Sequence, residues 1–174
     1  MKRILLMTLM FGAVASVAIA AGTVIDTCDT VDSWTVDQGE GATIKLESVK
    51  GKVGKAVKIS YDLGAGRNWV QISREALIKV TPKNAFRFWV QWTGNKNAIE
   101  FKVVDKDGSV FGRKFDGLDQ TRDWQSIVIP VGSLKYWWGG DNELNMDGIV
   151  EIAIAVSEKE SGAGTVEIDE VRVE

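Results

Sequence analysis

The chain has 174 residues, with 21 basic and 24 acidic side chains, no histidine and one cysteine. Lacking histidine, it cannot build Ser-His-Asp or Cys-His nucleophilic machinery or histidine-based zinc sites. A single cysteine also rules out cysteine-rich zinc sites and any intrachain disulfide. The net charge of −3 disfavours nucleic acid, which is held through a basic footprint.

From the N-terminus, Lys2 and Arg3 precede an almost wholly apolar run to Ile19, and Ala18-Ile19-Ala20 fits a small-x-small cleavage site. This predicts a secretory signal peptide over 1–20 and a single mature domain over 21–174, exported to the periplasm or the extracellular medium. The apolar run is short and Ala-rich for a membrane span, so no membrane attachment is expected after cleavage. Cys28, behind Asp26-Thr27, is not in a lipoprotein box. Cleavage takes the basic count from 21 to 19 against 24 acids, a net charge of −5.

The mature chain shows short β-branched or aromatic runs separated by Gly, Asn and Asp, with no sustained helical period. Strands are predicted at Val24–Cys28, Thr43–Val49, Ala56–Asp62, Asn68–Ser73, Ala85–Trp92, Ala98–Asp105, Ser109–Phe115, Trp124–Pro130, Ile149–Ser157 and Thr165–Val173. Ala76–Val80 reads as a short helical turn or a loop. Asp107-Gly108 between two alternating runs predicts a hairpin. The fold class is all-β, a two-sheet antiparallel β-sandwich or jelly roll.

Alternation assigns the faces. The predicted core includes Ile44, Leu46, Val57, Ile59, Tyr61, Val70, Ile72, Phe86, Phe88, Val90, Ile99, Phe101, Val103, Phe111, Ile127, Ile129, Val150, Ile152, Ile154, Val156, Val166 and Ile168. Facing the other way are Trp69, Gln71, Arg87, Trp89, Gln91, Glu100, Lys102 and Arg113. If these strands share one sheet, Trp69 and Trp89 lie side by side among Gln, Arg and Glu. Flat indoles suit the apolar C–H face of a sugar ring, and bidentate polar groups suit its hydroxyl rim. The predicted ligand is therefore a carbohydrate, bound weakly, between roughly micromolar and millimolar. The alternative is that loops cover Trp69 and Trp89 as a secondary cluster.

Tyr136-Trp137-Trp138-Gly139-Gly140 reads as a loop, with Tyr136 and Trp137 as an aromatic wall beside the binding face or as a cap on the sandwich. Asp141–Gly148 fails the EF-hand pattern and reads as a plain turn. Glu167 and Asp169 are spaced like the carboxylates of jelly-roll glycosidases. The third acid of that pattern should sit near Arg172 and does not, so no catalytic residues are assigned and the chain is read as a non-enzyme.

The run Gly51–Asp62 (GKVGKAVKISYD) resembles the strand entry of galactose-binding-like β-sandwich domains. Phe86–Trp92, Asp105–Ser109, Trp124–Pro130 and Gly164–Val173 resemble them too. The resemblance is to carbohydrate-binding modules of the family-eleven type and to the related complex I intermediate-associated domain. It implies a concave sheet that binds a polysaccharide. It also implies a structural calcium joining an N-terminal acid, Asp29 or Asp26, to Asp169 on the last strand. Relatives often have Phe-Glu where this chain has Cys28-Asp29. The reading is non-catalytic glycan binding through Trp69, Gln71, Arg87, Trp89, Gln91, Glu100, Lys102, Tyr136 and Trp137. Two others stay open: an envelope assembly protein whose aromatic face meets a protein partner or a second copy, and a small glycosidase.

Overall fold

A computed structural model describes residues 22–65, 68–116 and 123–174; the signal peptide predicted over 1–20 lies outside the described residues. The strands are β1 (Thr23–Asp26), β2 (Thr35–Gln38), β3 (Thr43–Lys50), β4 (Lys55–Asp62), β5 (Trp69–Ile78), β6 (Ala85–Gly94), β7 (Ala98–Asp105), β8 (Val110–Phe115), β9 (Gln125–Pro130), β10 (Lys135–Trp138), β11 (Ile149–Ser157) and β12 (Ala163–Val173). They form two antiparallel sheets, as the strand pattern predicts. The first runs β3-β4-β12-β6-β9, with β1 also on β12; the second runs β10-β8-β7-β11-β5-β2.

Alternation builds the core between them. Phe86, Phe88, Val90 and Trp92 of the first sheet meet Ile99, Phe101, Val103, Ile152, Ile154 and Val156 of the second, all buried. The Phe101 ring centroid lies 5.0 Å from that of Phe86 and 5.9 Å from that of Phe88, tying the sheets together. Each such side chain contributes about 1.5–3 kcal/mol by leaving water.

Four expectations are corrected. A register shift between Ile149 and Glu151 turns Val150 outward, because a bulge adds one residue to the ladder. Arg113 shares the inner face with Phe111, since both oppose inward residues of β7; at that uncovered edge it stays exposed. Residues 76–78 continue β5 instead of forming a turn, held by their ladder to β11. The aromatic run at 136–138 is a short edge strand on β8, not a loop.

The connection over 79–84 carries the chain from β5 in the second sheet to β6 in the first. Trp69 and Trp89 therefore belong to different sheets, and their outward faces lie on opposite sides of the sandwich. The expectation that they lie side by side is wrong. Alternation gives the direction of a side chain relative to its own strand but not the sheet the strand joins.

Candidate functional site

The outer face of the second sheet carries a cleft of about 890 Å³. Its geometry follows from register. On the central strand β11 the outward residues are Ala153, Ala155 and Ser157. They lie opposite Ser73, Gln71 and Trp69 on β5, and opposite Lys102, Glu100 and Ala98 on β7. Small residues in the middle and long ones on both flanks make a trough. Lys102 Nζ crosses it to donate to Gln71 Oε1 at 2.9 Å. It also pairs with Glu100 Oε2 at 3.3 Å. Glu100 accepts a hydrogen bond from Ser157 Oγ at 2.7 Å and faces Lys114 Nζ at 3.6 Å. The floor is thus a preformed polar network.

Trp69 stands at one end. Asn68 sets it: its Nδ2 donates to the Glu40 carbonyl at 2.8 Å, and its backbone N–H donates to Glu158 Oε2 at 2.9 Å. Trp138 forms the other wall, about half exposed. Its ring packs against Trp137 at 5.8 Å, and Lys102 Nζ lies 5.5 Å from the Trp138 ring and 5.7 Å from that of Trp137. Trp137 can lie on the sheet because residue 112 is glycine; a Cβ there would come within 2.8 Å of the indole.

Of the residues read from sequence, Trp69, Gln71, Glu100 and Lys102 meet in this cleft, and Trp137 stands beside it. Tyr136 does not line it: its ring packs edge-on against Phe111 at 5.7 Å, and its Oη donates to the Gly139 carbonyl at 2.7 Å. Arg87, Trp89 and Gln91 face outward from the first sheet. There Lys52 Nζ and the Arg87 guanidinium each stand 5.2 Å from the Trp89 ring centroid. Arg87 is further held by Ser126 and Glu174, both at 2.9 Å. Sequence reasoning missed Trp138, Asp37, Asn68, Lys114, Ser157, Glu158 and Lys159. For Trp138 the signal was present, since one of two adjacent indoles on an edge strand must face outward.

The acids proposed for calcium divide. Asp26 is engaged with Arg74, with Ser33 Oγ at 3.0 Å and with the Cys28 N–H at 2.5 Å, so its oxygens are taken. Asp29 and Asp169 both reach the turn between β3 and β4. Asp29 Oδ1 accepts from the Lys55 N–H and Asp169 Oδ2 from the Val53 N–H, both at 2.8 Å. Asp169 is fully buried and its Oδ1 has no partner. A buried, unpartnered carboxylate oxygen fits a hard cation. Among the described residues no three His, Cys, Asp or Glu side chains converge to hold a metal, so main-chain oxygens would have to complete such a site. Beside it, burial, reinforced by the Asp169 and Asp29 charges, pushes the Cys28 thiol up to about 12, which keeps it protonated and unreactive.

The fold recurs among solved structures. A family 11 carbohydrate-binding module from Clostridium thermocellum, in complex with a β-1,3-1,4-mixed-linked tetrasaccharide, superposes with a TM-score of 0.75 at 21% identity, covering 88% of this chain and 96% of that one. The family 30 module of the cellulosomal cellulase Cel9D-Cel44B of the same organism gives 0.59 at 12% identity, covering 82% and 91%. TmCBM61, in complex with β-1,4-galactotriose, gives 0.53 at 16% identity, covering 84% and 90%. No protein-family model matches the chain, and no curated protein matches it. The chain thus has the galactose-binding-like β-sandwich fold seen in family 11 modules.

Proposed function

We propose that this chain is a non-catalytic module that binds a polysaccharide along the outer face of its second sheet. Trp69 and Trp138 are the stacking platforms, and Gln71, Glu100 and Lys102 the hydroxyl partners. One observation carries the reading: two partly exposed indoles flank a single trough whose floor is the polar network of Gln71, Lys102, Glu100 and Ser157. The oligosaccharides in the complexes of similar fold support it. The pair Glu167 and Asp169 does not suit glycosidase chemistry, because Asp169 is buried beneath Val53.

Affinity electrophoresis against soluble glucans, xylans, mannans and galactans tests the proposal. Each aromatic contact is worth ~0.5–1.5 kcal/mol beyond its buried area. Trp69→Ala and Trp138→Ala should therefore each weaken retardation by about tenfold, while Trp89→Ala leaves it unchanged. Absence of retardation on every glycan, or equal retardation of all three variants, would overturn it.

Two further readings belong with this one. Asp169 and Asp29 would hold a structural calcium at the turn between β3 and β4. Residues 1–20 would direct export, so protein recovered from the periplasm or medium should have a mass beginning at Ala21. A full-length mass there would defeat cleavage after Ala20, and full-length protein confined to the cytoplasm would defeat the export reading.

A further inference from the structure

Next to the trough, across β8 and β10, lies a second pocket of about 490 Å³ lined by Gly112, Arg113, Lys114, Ser133, Lys135 and Trp137. It is continuous with the trough: Lys114 lines both, and the Trp137 and Trp138 rings are neighbours. Its charge is one-sided. Among the described residues three cations line it and no acid does, on a chain whose net charge is −3. Lys114 shares Glu100 with Lys102. Arg113 donates to Ser133 Oγ at 3.0 Å and stands over the Phe115 ring. Among the described residues neither Arg113 nor Lys135 has a carboxylate partner. The trough itself is balanced, with Asp37, Glu100 and Glu158 against Lys102, Lys114 and Lys159.

Cations gathered with few counter-charges, as Arg113 and Lys135 are here, raise the local concentration of anions. An indole lying flat beside them, over a residue with no side chain, offers a platform for a ring. We infer that this pocket is a subsite for a negatively charged sugar, so that the ligand of the proposed module is a polysaccharide bearing carboxylate or sulfate groups. The charged substituent meets Arg113, Lys114 and Lys135 while its ring rests on Trp137; neutral residues of the same chain occupy the trough. This rests on the glycan reading above. The acids of the trough oppose a phosphodiester backbone, whose charge would recur at every unit.

The test uses polymers paired by backbone: hyaluronan and its methyl ester, carboxymethylcellulose and hydroxyethylcellulose, κ-carrageenan and agarose. Affinity electrophoresis and titration with the wild-type chain should give at least one charged member an advantage of about tenfold at low salt, shrinking as salt is added. The first two pairs report a carboxylate and the third a sulfate. The double variant Arg113→Gln, Lys135→Gln should abolish the advantage, with its folded state verified by circular dichroism. Equal binding of both members of every pair, an advantage unchanged in the double variant, or equal affinity for oligothymidylate would overturn the subsite. If neutral members bind through Trp69 and charge makes no difference, the subsite falls and the trough reading stands. If no member of any pair binds, the subsite falls, and the panel of glucans, xylans, mannans and galactans decides the trough.

Discussion

Glu151 and Glu75 stand directly opposite each other on β11 and β5, on the same outer face as the trough but beyond Ser73. Like charges placed so are destabilising. Burial first, and the Glu75 charge second, hold the Glu151 carboxyl above its ordinary value; a hydrogen bond from Ser73 opposes them. A carboxyl whose folded-state pKa is raised binds its proton more tightly in the native state. Stability is therefore lost as pH rises from the unfolded carboxylate value, about 4.3, through the raised one. Glu151→Gln removes the ionisation. It should raise the melting temperature near pH 7, and the gain should disappear by about pH 4, where both forms are neutral. A gain of equal size at both pH values, or a loss at neutral pH, would show that the pair is not strained. A different balance operates at Trp89, where Lys52 and Arg87 each stand 5.2 Å from the centroid of an outward indole.

At the scale of elements, the wall of the trough depends on how β10 ends. Gly139 and Gly140 both have positive φ, at +86° and +31°, and a Cβ on either would strike the hairpin between β7 and β8: 2.0 Å from the Gly108 carbonyl oxygen and 2.2 Å from Ser109 Oγ. The glycines let the chain close onto that hairpin. Asp107 Oδ2 accepts from the Asp141 N–H at 3.0 Å, and Asp105 Oδ2 from the Asn145 N–H at 3.0 Å. Trp138 is thus fixed by its C-terminal neighbours. This explains what was legible in the sequence. Long alternating runs such as Ala85–Trp92 declare themselves as strands, and the period of two separates Phe86, Phe88 and Val90 from Arg87, Trp89 and Gln91. Four-residue edge strands such as β2 and β10 carry too few alternations to register, and the register shift between Tyr136 and Trp138 breaks what alternation β10 has. Sheet membership is invisible locally. The β5 ladder is written by β11 and β2, and that of β6 by β12 and β9, partners far away in the chain. Half of the site on β5 and β7 was therefore readable, while its apparent continuation on β6 belongs to the other side of the molecule.

For the whole molecule, the decisive strand is β12, which pairs with β4, β6 and β1 and so joins the chain's end to both its beginning and its middle. A bulge between Asp169 and Arg172 interrupts it, with Glu170 in the left-handed region at φ +48°. The Asp169 carboxylate is turned onto the β3–β4 turn, where one oxygen is satisfied and the other is not. An unsatisfied buried polar group costs about 1–3 kcal/mol, a penalty that a bound cation would remove. Calcium at a hundredfold excess over its dissociation constant would stabilise the fold by about 2.7 kcal/mol. At about 2–4 °C per kcal/mol for a domain of this size, the melting temperature should rise by about 5–10 °C. EDTA should reverse the rise, and Asp169→Asn should abolish it. Identical melting curves in calcium and in EDTA would mean that the turn and the last strand are joined by Asp169's hydrogen bond to Val53 alone, with the second oxygen left as a standing cost to the fold.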